Sequence, residues 1–495
     1  MLPFKTLIQT DKTLKLPVYQ QIANRLIGLI QEGILKPGLF LPGSRVLALQ
    51  LEVHRKTVIA AYDELVSQDW LVAMPRKGVM VAANLPVMKP RTYRDAASPY
   101  EDAAAFPFHE VPTITLAGVP PAAGTLIIND GFPDARLAPL ADWVKECRSV
   151  IESPRYAKLL MYGGATGLES LRKQMLEYLS DTRGLNISMP HIMITRGAQM
   201  AIYLAAALLI KKDDLVIVGS PNYFFADLCF EQLGAKLLRV PVDEEGIDVD
   251  MIEQLCGKRK IKMLYLVTHH HHPTTVTLSA ARRMKLLAVI RKYKLPVIED
   301  DYDYDFHYSS APILPLASAD HGGNVIYIGS FTKSLGLSIR IGFMIAPADF
   351  IEAAANLRRL MDLRGDNLSE QALANLLADG TIERHLKKSN KIYKERRDLL
   401  CHLLSTKLGD AVKFTVPSGG MAIWLRFSKK YPLKKIAAKA GELGLHMTSG
   451  GQYHYGAASQ NALRFGFASL NNKEIAAVVG VLEEVCEFCL GSGLR

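Results

Sequence analysis

Apolar residues recur at Val18, Ile22, Leu26, Leu29 and Ile30, a spacing that places them on one face of a helix. Gly33 and then Pro37-Gly38 end that pattern. A short second helix is predicted from Ser44, a residue suited to cap an N-terminus. A third is predicted from about Arg55 to Asp69, with Val58, Ala61, Tyr62 and Leu65 on one face. Two short apolar strands follow, Trp70–Met74 and Val79–Ala82, joined by Pro75-Arg76-Lys77-Gly78. Three helices and a basic hairpin, in that order, describe a winged helix-turn-helix. From Thr125 onward the pattern changes to apolar β-rich runs separated by helical segments. The strand candidates are His191–Thr195, Leu215–Val218, Lys236–Val240, Met263–Val267, Pro296–Glu299 and Val325–Ile328. Such alternation predicts an α/β fold with a mostly parallel sheet covered by helices on both faces.

Residues 84–124 fit neither pattern. They carry seven prolines and clusters of alanine, which reads as a tether. Phe106 and Phe108 hint that part of it packs. The expected organisation is a winged helix over 1–83, a linker over 84–124 and a large domain over 125–495.

Composition adds a charge asymmetry. The chain has 495 residues, is 49% hydrophobic and 22% charged, and has a formal net charge of +10, of which +7 falls in residues 1–94. A basic module on a nearly neutral body points to a polyanion partner for the first part alone. A largely disordered chain is excluded. Six scattered cysteines make no disulfide framework. Cys486 and Cys489 lie in a helical pattern and are read as a helix face. No signal-peptide pattern opens the chain, and its longest apolar run, Ala201 to Ile210, is short of a membrane span. The expectation is a soluble, reduced, cytoplasmic protein without a membrane partner.

In the basic module, Arg55 and Lys56 open the third helix, where a recognition helix meets base edges, and Thr57 is placed to donate to a phosphate. Arg45 lies in the first turn of the second helix. Arg76 and Lys77 form the tip of the wing. The segment with G-x-L-x-P-G-x-x-L-P-x-S-R followed by R-x-T-V-x-x-A-Y-x-x-L resembles the GntR-type DNA-binding domain over about 65 residues. That resemblance implies double-stranded DNA as partner and Arg45, Arg55, Thr57 and the wing glycine Gly78 as DNA-facing elements. His54 stands where the family usually has Ser, and Val79 where it has a polar residue.

In open α/β sheets, ligands bind beyond the carboxyl ends of the strands. The residues there form a set. Arg196-Gly197-Ala198-Gln199 opens a helix and exposes backbone N–H groups to a phosphate. Ser220-Pro221-Asn222-Tyr223 offers an aromatic face, and Glu299-Asp300-Asp301-Tyr302 an acidic and phenolic cluster. Gly329-Ser330-Phe331-Thr332-Lys333 and then Arg340 complete it. A lysine, a phosphate cradle, an aromatic plate and a buried carboxylate are what pyridoxal 5′-phosphate requires. The lysine forms an imine with its aldehyde, and the carboxylate keeps its ring nitrogen protonated.

The segments YGGATGLESLR, ITRGAQMA, VIEDDYDYDFHY, YIGSFTKSLGLSIRIGF and LRFGFA resemble the fold-type I aminotransferases across about 370 residues. With the front module, the whole resembles the MocR class of transcriptional regulators. The resemblance implies Lys333 as the imine lysine, Asp300 facing the pyridinium nitrogen, Tyr302 the ring hydroxyl, and Tyr223 stacked on the ring. Gly197, Ala198, Gln199, Ser330 and Arg340 would hold the phosphate, with Tyr162 reaching across from the partner of a homodimer. Arg464 matches the arginine that grips the α-carboxylate of a substrate or effector. In THHHHPTTVTLS, His272 occupies the place of the aminotransferase Asn before Pro273, and Thr275 replaces a Gly. Four adjacent histidines at a strand end do not easily all face one ion, so no metal site is expected. Two readings follow: a DNA-binding regulator that senses pyridoxal 5′-phosphate, an amine or amino-acid effector, or both; and a working aminotransferase with an incidental front domain.

Overall fold

The computed structural model describes residues 2–491 except 12, 15, 76, 86–102, 109–124, 155, 162, 309–312 and 454–459. The expectations for Arg76 and Tyr162, and for most of the linker, therefore lie outside the described residues. The chain divides into two compact units, Met1–His109 and Glu110–Arg495. Phe106 and Phe108, expected to pack, are exposed.

In the first unit, helices α1 (Val18–Gln31), α2 (Ser44–Leu51) and α3 (Arg55–Ser67) enclose a core of Ile22, Leu26, Leu29, Leu47, Val58 and Leu65. The hairpin of β1 (Leu71–Met74) and β2 (Gly78–Val81) closes it, with Leu71 opposite Val81 and Met74 opposite Gly78. The turn between α1 and α2 pairs with this wing through a single antiparallel bridge of Phe40 with Met80, in which Leu41 N donates to Val79 O and Val81 N to Leu39 O. Gly78 has φ +108°, which a side chain would resist. Ser44 is not the cap it was expected to be. Gly43 holds that position in extended geometry, and the Ser44 hydroxyl instead accepts from Arg55 Nε at 3.3 Å. The α3 cap is His54, whose Nδ1 accepts from the Lys56 amide at 3.2 Å. The histidine thus performs the capping task of a serine at this place.

The second unit is built on an eight-stranded sheet of β3 (Ile192–Thr195), β4 (Leu215–Ser220), β5 (Lys236–Asp243), β6 (Gly246–Ile247), β7 (Ile261–Leu266), β8 (Val297–Asp301), β9 (Val325–Ser330) and β10 (Gly342–Ile345). Their order across the sheet is β3-β10-β9-β8-β7-β4-β5-β6. The neighbours β9-β8, β8-β7, β7-β4 and β4-β5 are parallel, while β10 runs against both β9 and β3. All six predicted strands are present. β6 and β10 are the additions: two residues and four residues, too short for alternation to mark. Apolar residues on both sheet faces are buried under helices in separate clusters, one with Met193, Val218 and Tyr265, another with Ile217, Leu264 and Val297. A smaller antiparallel sheet of β11 (Val412–Lys413), β12 (Ala422–Phe427) and β13 (Ala462–Gly466) carries Arg464. The last helix, Asn472–Gly491, bears Cys486 and Cys489, with Cys486 buried in the core. Among the described residues, no helix is long and apolar enough to cross a membrane.

Candidate cofactor and effector site

Parallel strands end together, so β3, β8 and β9 deliver their last residues to one rim of the sheet. Beyond β3, Gly197 turns with φ +75° into the helix Gly197–Leu209. A Cβ there would lie 2.7 Å from Arg340 Nη2, and one on Gly342 would lie 2.6 Å from the Gly197 carbonyl carbon. Only glycine lets the guanidinium and the neighbouring strand approach this turn so closely. Beyond β9, Ser330 Oγ lies 2.9 Å from Thr332 Oγ1 and accepts from Thr332 N at 3.1 Å, and Arg340 Nη1 reaches Thr332 Oγ1 at 3.4 Å. Gly197, Ser330 and Arg340 are thus brought together, with Thr332 added. Ala198 and Gln199 follow in the first turn of the helix. Gln199 Oε1 is buried without a hydrogen-bond partner among the described residues.

The acidic run is sorted by the period-two alternation of β8. Glu299 accepts from Thr268 Oγ1 and from the Leu316 and Ala317 amides, and Asp301 accepts from Tyr327 Oη at 2.9 Å. Both are structural anchors. Asp300 is the exception. Its Oδ2 accepts from Tyr265 Oη at 2.7 Å, while Oδ1 is buried and unpartnered among the described residues. Burial pushes its pKa up to about 7; the Tyr265 hydrogen bond opposes this, and Asp301 and Asp303 add to it. Such a carboxylate lacks a cation, and a protonated heterocyclic nitrogen would supply one.

Lys333 follows β9 on the short helix Thr332–Leu335. Its Nζ donates to Gly131 O at 2.8 Å and lies 5.0 Å from the Phe132 ring centroid and 5.9 Å from that of Tyr302. Burial, then the Arg464 charge, lowers its pKa to about 8, with Asp130 pulling the other way. A larger share of the amine is therefore unprotonated and nucleophilic at neutral pH than in an exposed lysine. Tyr302 Oη donates to His270 O at 2.9 Å and accepts from Arg464 Nη2 at 2.9 Å. Tyr223 presents its ring to His272, with centroids 5.1 Å apart. Burial raises the Tyr223 hydroxyl's pKa, with Asp300 and Asp130 adding to the effect.

The four histidines diverge. His269 Nε2 pairs with Ile313 O, His270 Nδ1 with Asp303 Oδ1 at 3.0 Å, His271 Nδ1 with Thr274 Oγ1 and His272 Nε2 with Asp130 Oδ2 at 2.6 Å. Asp130, Tyr265, Thr332 and Tyr453 escaped sequence reasoning. Tyr265 had a usable signal: it pairs in register with Ile298, so Asp300 two residues on shares its face. Asp130 had none, because it reaches the site from a turn far away in sequence.

The donor set fits pyridoxal 5′-phosphate: a cradle at a helix start with an arginine, a spare buried carboxylate oxygen and a lysine between them. The family model for aminotransferase class I and II matches residues 129–482, and that for bacterial regulatory proteins of the gntR family matches residues 18–81. Over the full length, the chain is 28% identical to the uncharacterized HTH-type transcriptional regulator YisV of Bacillus subtilis, covering 94% of this chain and 96% of that one. It is 24% identical to the probable rhizopine catabolism regulatory protein MocR of Rhizobium meliloti, covering 94% and 92%. Among solved structures, α-aminoadipate aminotransferase LysN of Thermus thermophilus, complexed with N-(5′-phosphopyridoxyl)-L-leucine, superposes with a TM-score of 0.69 at 25% identity, covering 74% of this chain and 94% of that one. The cofactor is pyridoxal 5′-phosphate. The chain belongs to the aminotransferase class I and II family and, with a gntR-type helix-turn-helix in front, has the build of the MocR-class transcriptional regulators.

Proposed function

We propose that this protein is a DNA-binding transcriptional regulator that holds pyridoxal 5′-phosphate through Lys333 and senses the cofactor, an amino compound, or both. The observation that carries this reading is the junction, on one chain, of a basic winged helix with a lysine of lowered pKa that follows one parallel strand and, on the strand paired with it, the spare carboxylate oxygen of Asp300. When bound, the cofactor supplies an aldehyde that condenses with amines and a ring that draws electrons. The protein's part is to hold its phosphate with Gly197, Ala198, Gln199, Ser330 and Arg340, and its ring with Tyr223, Asp300 and Tyr302. Lys333 provides the amine, and Arg464 borders the space for the effector.

On the DNA side, Arg45, Arg55, Lys56, Lys77 and Gly78 are all exposed and Thr57 is half-buried, which leaves them free for phosphates and base edges. Arg76, the residue before Lys77 in the sequence, completes the wing of this reading. The relatives' description as HTH-type regulators supports it. A homodimer is part of it. Leu360, Leu363 and Met161 are 85%, 73% and 71% exposed, and Arg364 Nη1 ties to Met161 O at 3.0 Å, so they gather in one region. Apolar side chains so exposed are what a symmetric interface would cover.

The test is promoter binding by fluorescence anisotropy with and without cofactor, beside steady-state transamination against a panel of amino acids. Cofactor-dependent DNA binding with negligible turnover supports a sensor. Rapid turnover with DNA binding indifferent to cofactor supports the aminotransferase reading instead.

A further inference from the structure

The guanidinium of Arg464 is fully buried, and each of its three nitrogens already makes a hydrogen bond. Nε donates to Asp130 O at 3.2 Å, Nη1 to Pro273 O at 3.4 Å and Nη2 to Tyr302 Oη at 2.9 Å. A carboxylate bound bidentately needs two adjacent N–H groups pointing the same way. Asp130 O already holds the Nε–H of the Nε/Nη2 edge, and Pro273 O and Tyr302 Oη take one N–H each from Nη1 and Nη2. The charge is answered too. Asp130 Oδ1 lies 3.9 Å from Arg464 Nε. The carboxylate is fixed there by His272 Nε2 at 2.6 Å and Tyr453 Oη at 2.9 Å.

Asp130 is a permanent anion. Burial pushes its pKa up, but His272, Arg464 and Tyr453 together bring it down to about 2. Burial lowers the pKa of His272, so at neutral pH its imidazole donates Nε2–H without adding a charge. Arg464 and Asp130 then cancel. A second carboxylate entering here would face Asp130 with the Arg464 charge already answered, in a site where desolvation is costly.

We propose that Asp130 is a built-in counter-carboxylate that makes the effector site selective for primary amines lacking an α-carboxylate. This rests on the proposed sensing function and names the effector class for the same pocket. Asp130 acts as a specificity determinant: it occupies the electrostatic place of the α-carboxylate, and His272 and Tyr453 position it. An arriving amine keeps this arrangement intact, whereas an amino acid must displace Asp130 from three partners.

The experiment uses cofactor-loaded full-length protein and isothermal titration calorimetry with matched pairs: leucine and 3-methylbutylamine, phenylalanine and phenethylamine, tryptophan and tryptamine, ornithine and putrescine. At least one amine should bind tenfold or more tighter than its amino acid. Asp130→Asn, nearly isosteric, should shrink or reverse that preference by tenfold or more, because Arg464 regains an unbalanced charge. Retained cofactor absorbance in the variant shows that it is folded and loaded. In loaded wild-type protein, preference for the amino acid, equal affinity, or binding of neither member in every pair overturns the proposal. So does an amine preference that Asp130→Asn leaves unchanged. Failure to load cofactor at all defeats the sensing function instead, and absorbance reads that separately.

Discussion

The winged helix exposes the groups assigned to its function, whereas the large unit withdraws most of its own, Arg340 excepted. Arg45, Arg55, Lys56 and Lys77 stand in solvent and Thr57 sits at the surface, while Asp300 and Arg464 are almost fully buried and Lys333 is half-buried. The two arrangements suit different partners. DNA is a rigid polyanion met face to face, and many exposed cations can each add a modest, salt-screened share. A small cofactor must be surrounded, so single groups in a low-dielectric site carry large, unshared effects. Additive redundancy should therefore mark the first unit and single-residue dependence the second.

The largest expected effect is on the buried side. Lys333→Ala should abolish the imine absorbance at ~410–430 nm and any response of DNA binding to cofactor, while basal DNA binding survives. Absorbance and anisotropy on one preparation check this; a variant that still develops the band would remove Lys333 from its role. The lowered lysine pKa adds a pH test. The unprotonated amine is the reactive form, so cofactor uptake should rise with pH and level off above about 8, well below the ordinary value of 10.5. Stopped-flow absorbance would show a continued rise toward 10 if the amine were ordinary.

Salt should separate the units next. If a dimer neutralises six to ten phosphates, DNA affinity should fall roughly 10³–10⁵-fold between 50 and 200 mM salt. Cofactor affinity should change far less, because among the assigned contacts only Arg340 is an exposed cation and Asp300 is buried. Equal salt slopes would break the contrast. Asp300→Asn comes below this, costing cofactor affinity about 1.5–3 kcal/mol, roughly 10–100-fold, for a lost charged hydrogen bond. The same carboxylate affects stability without cofactor. Its folded pKa of about 7 lies above the ordinary 3.8, so stability is fully present below 3.8 and lost as pH rises through 7. The loss is at most about 4 kcal/mol. A pH series of thermal melts should show this slope in wild type and not in Asp300→Asn.

Legibility in the sequence divides along the same line. The winged helix is local: its helices, hairpin and basic positions all lie within about 65 residues, and pattern and motif place them together. In the large unit, strand ends are legible because parallel strands deliver their last residues to one rim, which is why Gly197, Ser330, Lys333 and Asp300 could be listed in advance. Their partners were less so. Asp130 meets His272 across 142 positions and Tyr453 across 323. No periodicity encodes contacts made by the final packing of turns. Alternation sets Asp300 on the face opposite Glu299 and Asp301, but which face carries the site shows only once the amides of Leu316 and Ala317 and the hydroxyl of Tyr327 claim the other two.

The smallest effects test the exposed side. Arg55→Ala should cost about 1–3 kcal/mol of specific DNA affinity if it reads a base, and less with a reduced salt slope if it meets only phosphate. His54 sharpens the point, because it caps this helix at a place where the GntR resemblance leads one to expect a serine. Its Nδ1 accepts from the Lys56 amide, and the ring is otherwise exposed. If capping is its whole contribution, His54→Ala should destabilise α3 by roughly 0.5–2 kcal/mol, and His54→Ser should restore it. Hydrogen exchange at the first amides of Arg55–Ser67 reads this directly, since faster exchange there reports fraying of the recognition helix. Should His54→Ser match wild type in exchange yet lose DNA affinity, the histidine would be a DNA contact as well as a cap.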